Sequence, residues 1–171
     1  MDYGYGNKSG WRREFTIVIC SIMDFETVLK YLPYDHPFLF VDELLAIDDY
    51  GATGSFTFNA NLDFYQGHFK DNPVTPGVIL TECCAQIGVV SLGIFLLSQQ
   101  GVNLENMQIG LSSSEMEFLE PVFPGEKVEV SSKKLYFRFN KLKCEVKMHN
   151  VNRKLVCRGT ISGMLSTGKN E

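Results

Sequence analysis

From Pro76 to Gly101 the chain is mostly apolar, and beyond Gly101 it breaks into shorter runs with polar residues interleaved. The first pattern predicts one long, buried helix, opened by Pro76-Gly77 and closed at Gln99-Gln100-Gly101. The second predicts strands over Met107–Ser112, Ser114–Leu119, Glu126–Phe139, Leu142–His149 and Leu155–Leu165. The alternation is strictest where Leu142, Cys144, Val146 and Met148 interleave with Lys143, Glu145 and Lys147, as in a half-buried antiparallel strand. Asn140-Lys141 and Asn150-Val151-Asn152-Arg153 read as hairpin turns. Ahead of the long helix, Phe25, Val28, Leu29 and Leu32 have helical spacing, with Asp24 placed to cap and Pro33 to stop. Phe38–Ile47 and Ala52–Asn59 read as strands around an Asp48–Gly51 turn, the first broken by Asp42 and Glu43. Asn61–Pro76 reads as a loop. One apolar helix with one antiparallel sheet is an α+β layer fold, the sheet wrapped around the helix. Because the helix is apolar on nearly every side, its free face suits a second subunit.

Composition narrows the picture. The 171 residues suit one domain, with a net charge of −4 that argues against a nucleic-acid partner. Cys20, Cys83, Cys84, Cys144 and Cys157 form no C-x-x-C pair, so buried free thiols in a reducing cytoplasm are expected and no metal site is. Val78–Leu97 is long enough to span a bilayer, but Glu82, Gln86 and Ser91 interrupt it, so no membrane insertion is expected. Residues 1–22 are read as an N-terminal extension, Met23 as an alternative start, and 23–171 as the domain. The apolar run Phe15–Ile22 lacks an A-x-A cleavage site and carries Glu14 beside it, so it is not read as a signal peptide.

Candidate chemistry centres on His68 and Glu82. A loop histidine can be merely structural; its weight here comes from Glu82, fourteen residues on and near the start of the apolar helix. Val78, Glu82 and Gln86 share one helix face at i, i+4 and i+8. Carboxyl groups in apolar surroundings tend to keep their proton and can act as general acids, while a neutral imidazole can act as a base. Glu82 could instead simply favour the helix dipole and face water. Gly77 adds unpaired N–H groups at the helix start, which can stabilise charge on a carbonyl oxygen, unless Pro-Gly is only punctuation. Together the three suit proton abstraction beside a carbonyl with loss of a β-substituent.

The run from Asp63 to Gln86, DFYQGHFKDNPVTPGVILTECCAQ, resembles the active-site signature of the 3-hydroxyacyl-[acyl-carrier-protein] dehydratases. Leu32–Asp42 is similar to that family's L-P-H-R-Y-P-F-L-L-V-D, and Phe118–Glu126 to its F-x-x-P-V-x-P-G-D. The resemblance implies a hot-dog fold and a cytoplasmic homodimer, often a trimer of dimers. It implies His68 as the residue that removes the α-proton and Glu82, from the other subunit, as the residue that protonates or orients the departing β-hydroxyl. Gly77 would meet the thioester carbonyl. Gln86, Phe69 and Val78 would complete the substrate site, Gln86 in support. The substrate would arrive on the phosphopantetheine arm of acyl carrier protein, with no metal or redox cofactor.

Several positions depart from the family string. Tyr34 and Asp35 stand where His-Arg is common, His36 where Tyr is, and Lys70-Asp71 replaces Pro-Gly after His-Phe. These changes leave the acid–base pair intact and bear on the carrier surface and the acyl chain. A fatty-acid enzyme and a specialised polyketide or pigment enzyme both fit. The alternatives are a hot-dog thioesterase and a catalytically silent acyl-binding partner subunit.

Overall fold

The structure, a computed structural model, describes residues 25–105 and 107–167. The expected extension over 1–22, the Met23 start and the Asp24 cap lie outside them. Helix α1 (Phe25–Lys30) leads into β1 (Glu43–Ile47) and β2 (Ala52–Thr57). A 3-10 turn (Asp63–Gln66) precedes the long helix α2 (Gly77–Gln99), and β3 (Met107–Phe118), β4 (Lys127–Arg138), β5 (Lys141–Asn150) and β6 (Leu155–Thr167) follow. All pairings are antiparallel, in one six-stranded sheet of order β1-β2-β4-β5-β6-β3. The sheet curves around α2, the hot-dog arrangement.

The core follows from the two periodicities. Leu142, Cys144, Val146 and Met148 of β5 are all fully buried, as the alternation requires. Residues Cys83–Leu97 of α2 are buried without a break. By length and composition α2 could cross a membrane, but here it is the core helix on which the sheet closes. Close approach needs small residues: a Cβ at Gly88 would meet Ser132 and Val146 at 3.0 and 3.1 Å, and one at Gly93 would press on Leu165. The helix ends at Gly101, with φ +70° and a bond from the Val102 N–H to the Leu97 carbonyl.

Four expectations need correcting. The first strand begins only at Glu43: Phe38–Phe40 pairs with no strand, its backbone held instead by Gln86 and Cys83 of α2, and the Asp42 N–H makes the first bond to β2, on the Ser55 carbonyl. The loop before α2 holds a 3-10 turn. The two strands expected over 107–119 are one 12-residue strand with an irregularity between Leu111 and Ser113. The long helix contains a π-helical turn at Gln86–Val90, where the Ser91 hydroxyl donates to the Gln86 carbonyl at 2.9 Å.

Candidate active site

His68 is held by its own loop. Its backbone carbonyl accepts from the Val74 N–H at 2.9 Å, and its Nδ1 lies 2.9 Å from the Val74 carbonyl. A carbonyl oxygen only accepts, so Nδ1 carries the hydrogen in the neutral ring and Nε2 keeps a free lone pair. Phe69 stacks on the imidazole with ring centres 4.1 Å apart. The loop is tied to the rest by the Thr75 N–H on the Val122 carbonyl and by Tyr65 on the Thr75 hydroxyl.

Glu82 is held by a different frame. Gln86, one turn later, donates to Glu82 Oε1 at 2.9 Å and to the Phe38 carbonyl at 2.9 Å. Its own Oε1 accepts the Phe40 N–H at 2.7 Å, and the Cys83 thiol reaches the Phe40 carbonyl. Gln86 is fully buried and every one of these partners belongs to the chain. It therefore fixes Glu82 and straps Phe38–Phe40 across α2. The π-helical turn begins at this residue.

At the start of α2, the Ile79 and Leu80 N–H groups fold back on Pro76, while those of Gly77 and Val78 have no backbone acceptor among the described residues. Phe118 covers Gly77 closely: an added Cβ would meet its ring at 3.1 Å. A shallow cleft of about 380 Å³ opens there, lined by Thr75, Gly77, Leu80, Phe118 and Pro121. Val78 is 75% and Phe69 59% exposed, large apolar side chains left open beside the candidate site. Another cleft of about 640 Å³, between His36, Asp42, Phe56 and Asn61, includes neither His68 nor Glu82.

The structure thus joins Glu82 to Gln86 and His68 to Val74, but among the described residues no hydrogen bond or ion pair joins His68 to Glu82. Sequence reasoning missed the Val74 carbonyl, the Phe38–Phe40 strap and the Phe118 cover, none of which carries a local signal. It registered Tyr34 only as a departure. No group of three or more His, Cys, Asp or Glu side chains forms a metal cluster among the described residues.

The profile of the FabA-like domain matches residues 32–160. This chain belongs to the FabA-like family. The match spans both frames, from Leu32 before the strap to β6. A 3-hydroxyacyl-[acyl-carrier-protein] dehydratase FabZ of Sinorhizobium fredii is 33% identical over 150 residues, covering 86% of this chain and 92% of its own. The enzyme of the same name from Brucella ovis is 30% identical over 146 residues, covering 84% and 88%. The FabA-like chain described here is accordingly a dehydratase. Two solved structures share its fold at low identity. The dehydratase heterocomplex ApeI:P from Xenorhabdus doucetiae superposes with a TM-score of 0.67 at 12% identity, covering 84% of this chain and 91% of its own. A hypothetical thioesterase of Streptococcus pneumoniae, solved with coenzyme A, gives 0.52 at 15%, covering 75% and 88%.

Proposed function

We propose that the protein removes water from 3-hydroxyacyl thioesters carried on acyl carrier protein, giving trans-2-enoyl thioesters. The observation that carries this reading is the pair of held groups: an imidazole whose Nε2 is free, and a carboxyl fixed on the second turn of a buried helix. His68 Nε2 takes the α-proton, and the C–H electron pair becomes the new double bond. The Cβ–O bond breaks, and Glu82, entering protonated, gives its proton to the departing oxygen, which leaves as water. The protonated imidazole and the carboxylate then reset by passing one proton back through solvent. The free N–H groups at Gly77 and Val78 stabilise the negative charge that gathers on the thioester oxygen. No metal or redox cofactor takes part in this scheme.

A base and an acid held by separate frames suggest a site shared between two copies. The sheet supports that. Its β3 edge is twelve residues long with little side-chain cover, and such an edge invites another strand. Exposed Leu111, Phe118 and Leu119 lie on or beside it. A homodimer joined along β3, alone or as a trimer of dimers, is the assembly proposed.

The carrier would dock by charge. Arg138, Lys141 and Lys143 sit on one face of the β4–β5 hairpin, since Arg138 opposes Lys141 and Tyr136 opposes Lys143. None of the three enters an ion pair among the described residues, whereas five other cations do. An acidic carrier protein complements that face. The proposed setting is acyl-chain building in the cytoplasm, for fatty acids or for a polyketide or pigment.

The test is intact mass. Purified protein is incubated with 3-hydroxyacyl carrier proteins of several chain lengths. Loss of one water with the thioester kept supports the reading, and the preferred length points to the pathway. Free carrier protein would instead indicate a thioesterase, and no change with any substrate a silent partner subunit. Mixing His68→Ala with Glu82→Ala subunits tests sharing: exchanged dimers regain part of the activity if each site takes one residue from each copy.

A further inference from the structure

The segment ahead of β1 does more than strap the helix. Phe38, whose carbonyl takes one hydrogen of Gln86, packs its ring against Tyr34 with centres 6.4 Å apart. The other hydrogen of the same Gln86 amide goes to Glu82. A short run of contacts thus leads from Tyr34 to the carboxyl group. The Tyr34 ring is half-buried against the core. Its hydroxyl makes no hydrogen bond among the described residues, and no buried side-chain oxygen is left without a partner. The phenolic oxygen is therefore not fully enclosed and is left to bond something outside the chain. Burial, and then the charge of Glu82, push its ionisation up to about 12. A phenol in that setting keeps its proton throughout the neutral range and can act only as a neutral donor or acceptor.

We propose that Tyr34 donates a hydrogen bond to the departing β-oxygen beside Glu82. The inference rests on the reading of Glu82 as the acid. Cleavage of the Cβ–O bond gathers negative charge on an oxygen with more lone pairs than one carboxyl proton can satisfy. A fixed O–H donor holds that oxygen more strongly as the bond breaks, so it acts on the barrier rather than on binding. Tyr34 transfers no proton in this scheme: Glu82 supplies the one that makes water, and the phenol keeps its own.

The test compares leaving groups. Tyr34→Phe removes only the hydroxyl, which bonds nothing within the described residues, so the fold should hold; circular dichroism and the unfolding midpoint check this. Wild type and variant are assayed on a 3-hydroxyacyl carrier protein and on the matching 3-chloroacyl carrier protein, whose departing chloride accepts hydrogen bonds far more weakly than oxygen and needs no proton. On the hydroxy substrate kcat should fall roughly 100-fold with KM nearly unchanged, the scale set by removing one donor from a developing oxyanion. On the chloro substrate it should fall by no more than about threefold. Equal losses on both substrates, or no loss on the first, would overturn the assignment. If wild type eliminates from neither, the dehydratase reading falls and takes this one with it. If wild type eliminates water and Tyr34→Phe matches it, only the role of Tyr34 falls.

Discussion

Replacing Gln86 by leucine tests the frame that holds Glu82. The side chain is fully buried and makes three hydrogen bonds: to Glu82, to the Phe38 carbonyl and from the Phe40 N–H. Leucine keeps most of the volume and none of the bonds. Phe40 is 2% exposed, so its N–H has no substitute acceptor, at a cost of about 1–3 kcal/mol. The Phe38 carbonyl belongs to a residue 49% exposed and water replaces its partner, at a cost near zero. Losing the bond to half-buried Glu82 costs roughly another 1.5 kcal/mol. The apolar leucine returns roughly 1 kcal/mol by transfer. The net expectation is a loss of about 1.5–3.5 kcal/mol, read by urea unfolding at one fixed protein concentration with an unchanged slope. Because Glu82 also loses its anchor, kcat should drop on the order of 10- to 100-fold, and KM much less. A variant within about 1 kcal/mol of wild type, with kcat intact, would refute the idea that Gln86 holds both the strap and the carboxyl.

Three further outcomes are expected. A Cβ at Gly159 would press on the Glu115 carbonyl and lie 2.9 Å from Met116 Cα, both backbone. Gly159→Ala should therefore push β3 off β6, costing about 1–3 kcal/mol and weakening self-association, read together by unfolding and sedimentation; unchanged values on both would discount the β3 seam. Burial pushes the Cys144 thiol up to about 12, above its unfolded value of 9.0, so the folded state holds that proton more tightly. Its contribution is intact below pH about 9 and declines as pH rises toward about 12, by about 1.4 kcal/mol at pH 10. Cys144→Ala should lose less stability than wild type between pH 8 and 10, and equal losses in urea midpoints would contradict this. Reversing Arg138, Lys141 and Lys143 to Glu should raise KM for carrier-bound substrate about tenfold or more while sparing a pantetheine thioester, and an unchanged KM would remove the hairpin as the docking face.

Much of this fold was legible because two periodicities dominate. The apolar run of α2 and the alternation of β5 leave little choice about which side chains are inside. The second hairpin turns at Val151-Asn152, inside the expected Asn150–Arg153, whereas the first turns at Phe139-Asn140, one residue before the expected Asn140-Lys141, with both residues at positive φ and Lys141 already in β5. The failures are also physical. Phe38–Phe40 has strand composition but pairs with no strand, because a glutamine buried on the helix supplies both a donor and an acceptor to its backbone. Residue types cannot show that a side-chain amide is imitating a neighbouring strand. The π-helical turn was hidden for a related reason, since Ser91 satisfies the Gln86 carbonyl through its side chain.

The candidate site divides along the same line. Glu82 and Gln86 are four residues apart on a helix, so their contact follows from spacing. His68 comes fourteen residues before Glu82, across a loop closed on itself by two bonds between His68 and Val74. Nothing in that spacing sets where the imidazole points, and the fold ties it to Val74, not to the helix face that carries Glu82. An elimination needs its base at one carbon and its acid at the next. His68 and Glu82 belong to separate frames, each held by its own partners, and the proposed site takes one from each of two copies. The proposed chemistry is therefore linked to self-association along β3. A variant that dissociates the protein while preserving both frames should lose elimination with its fold unchanged, and activity should return as protein concentration rises.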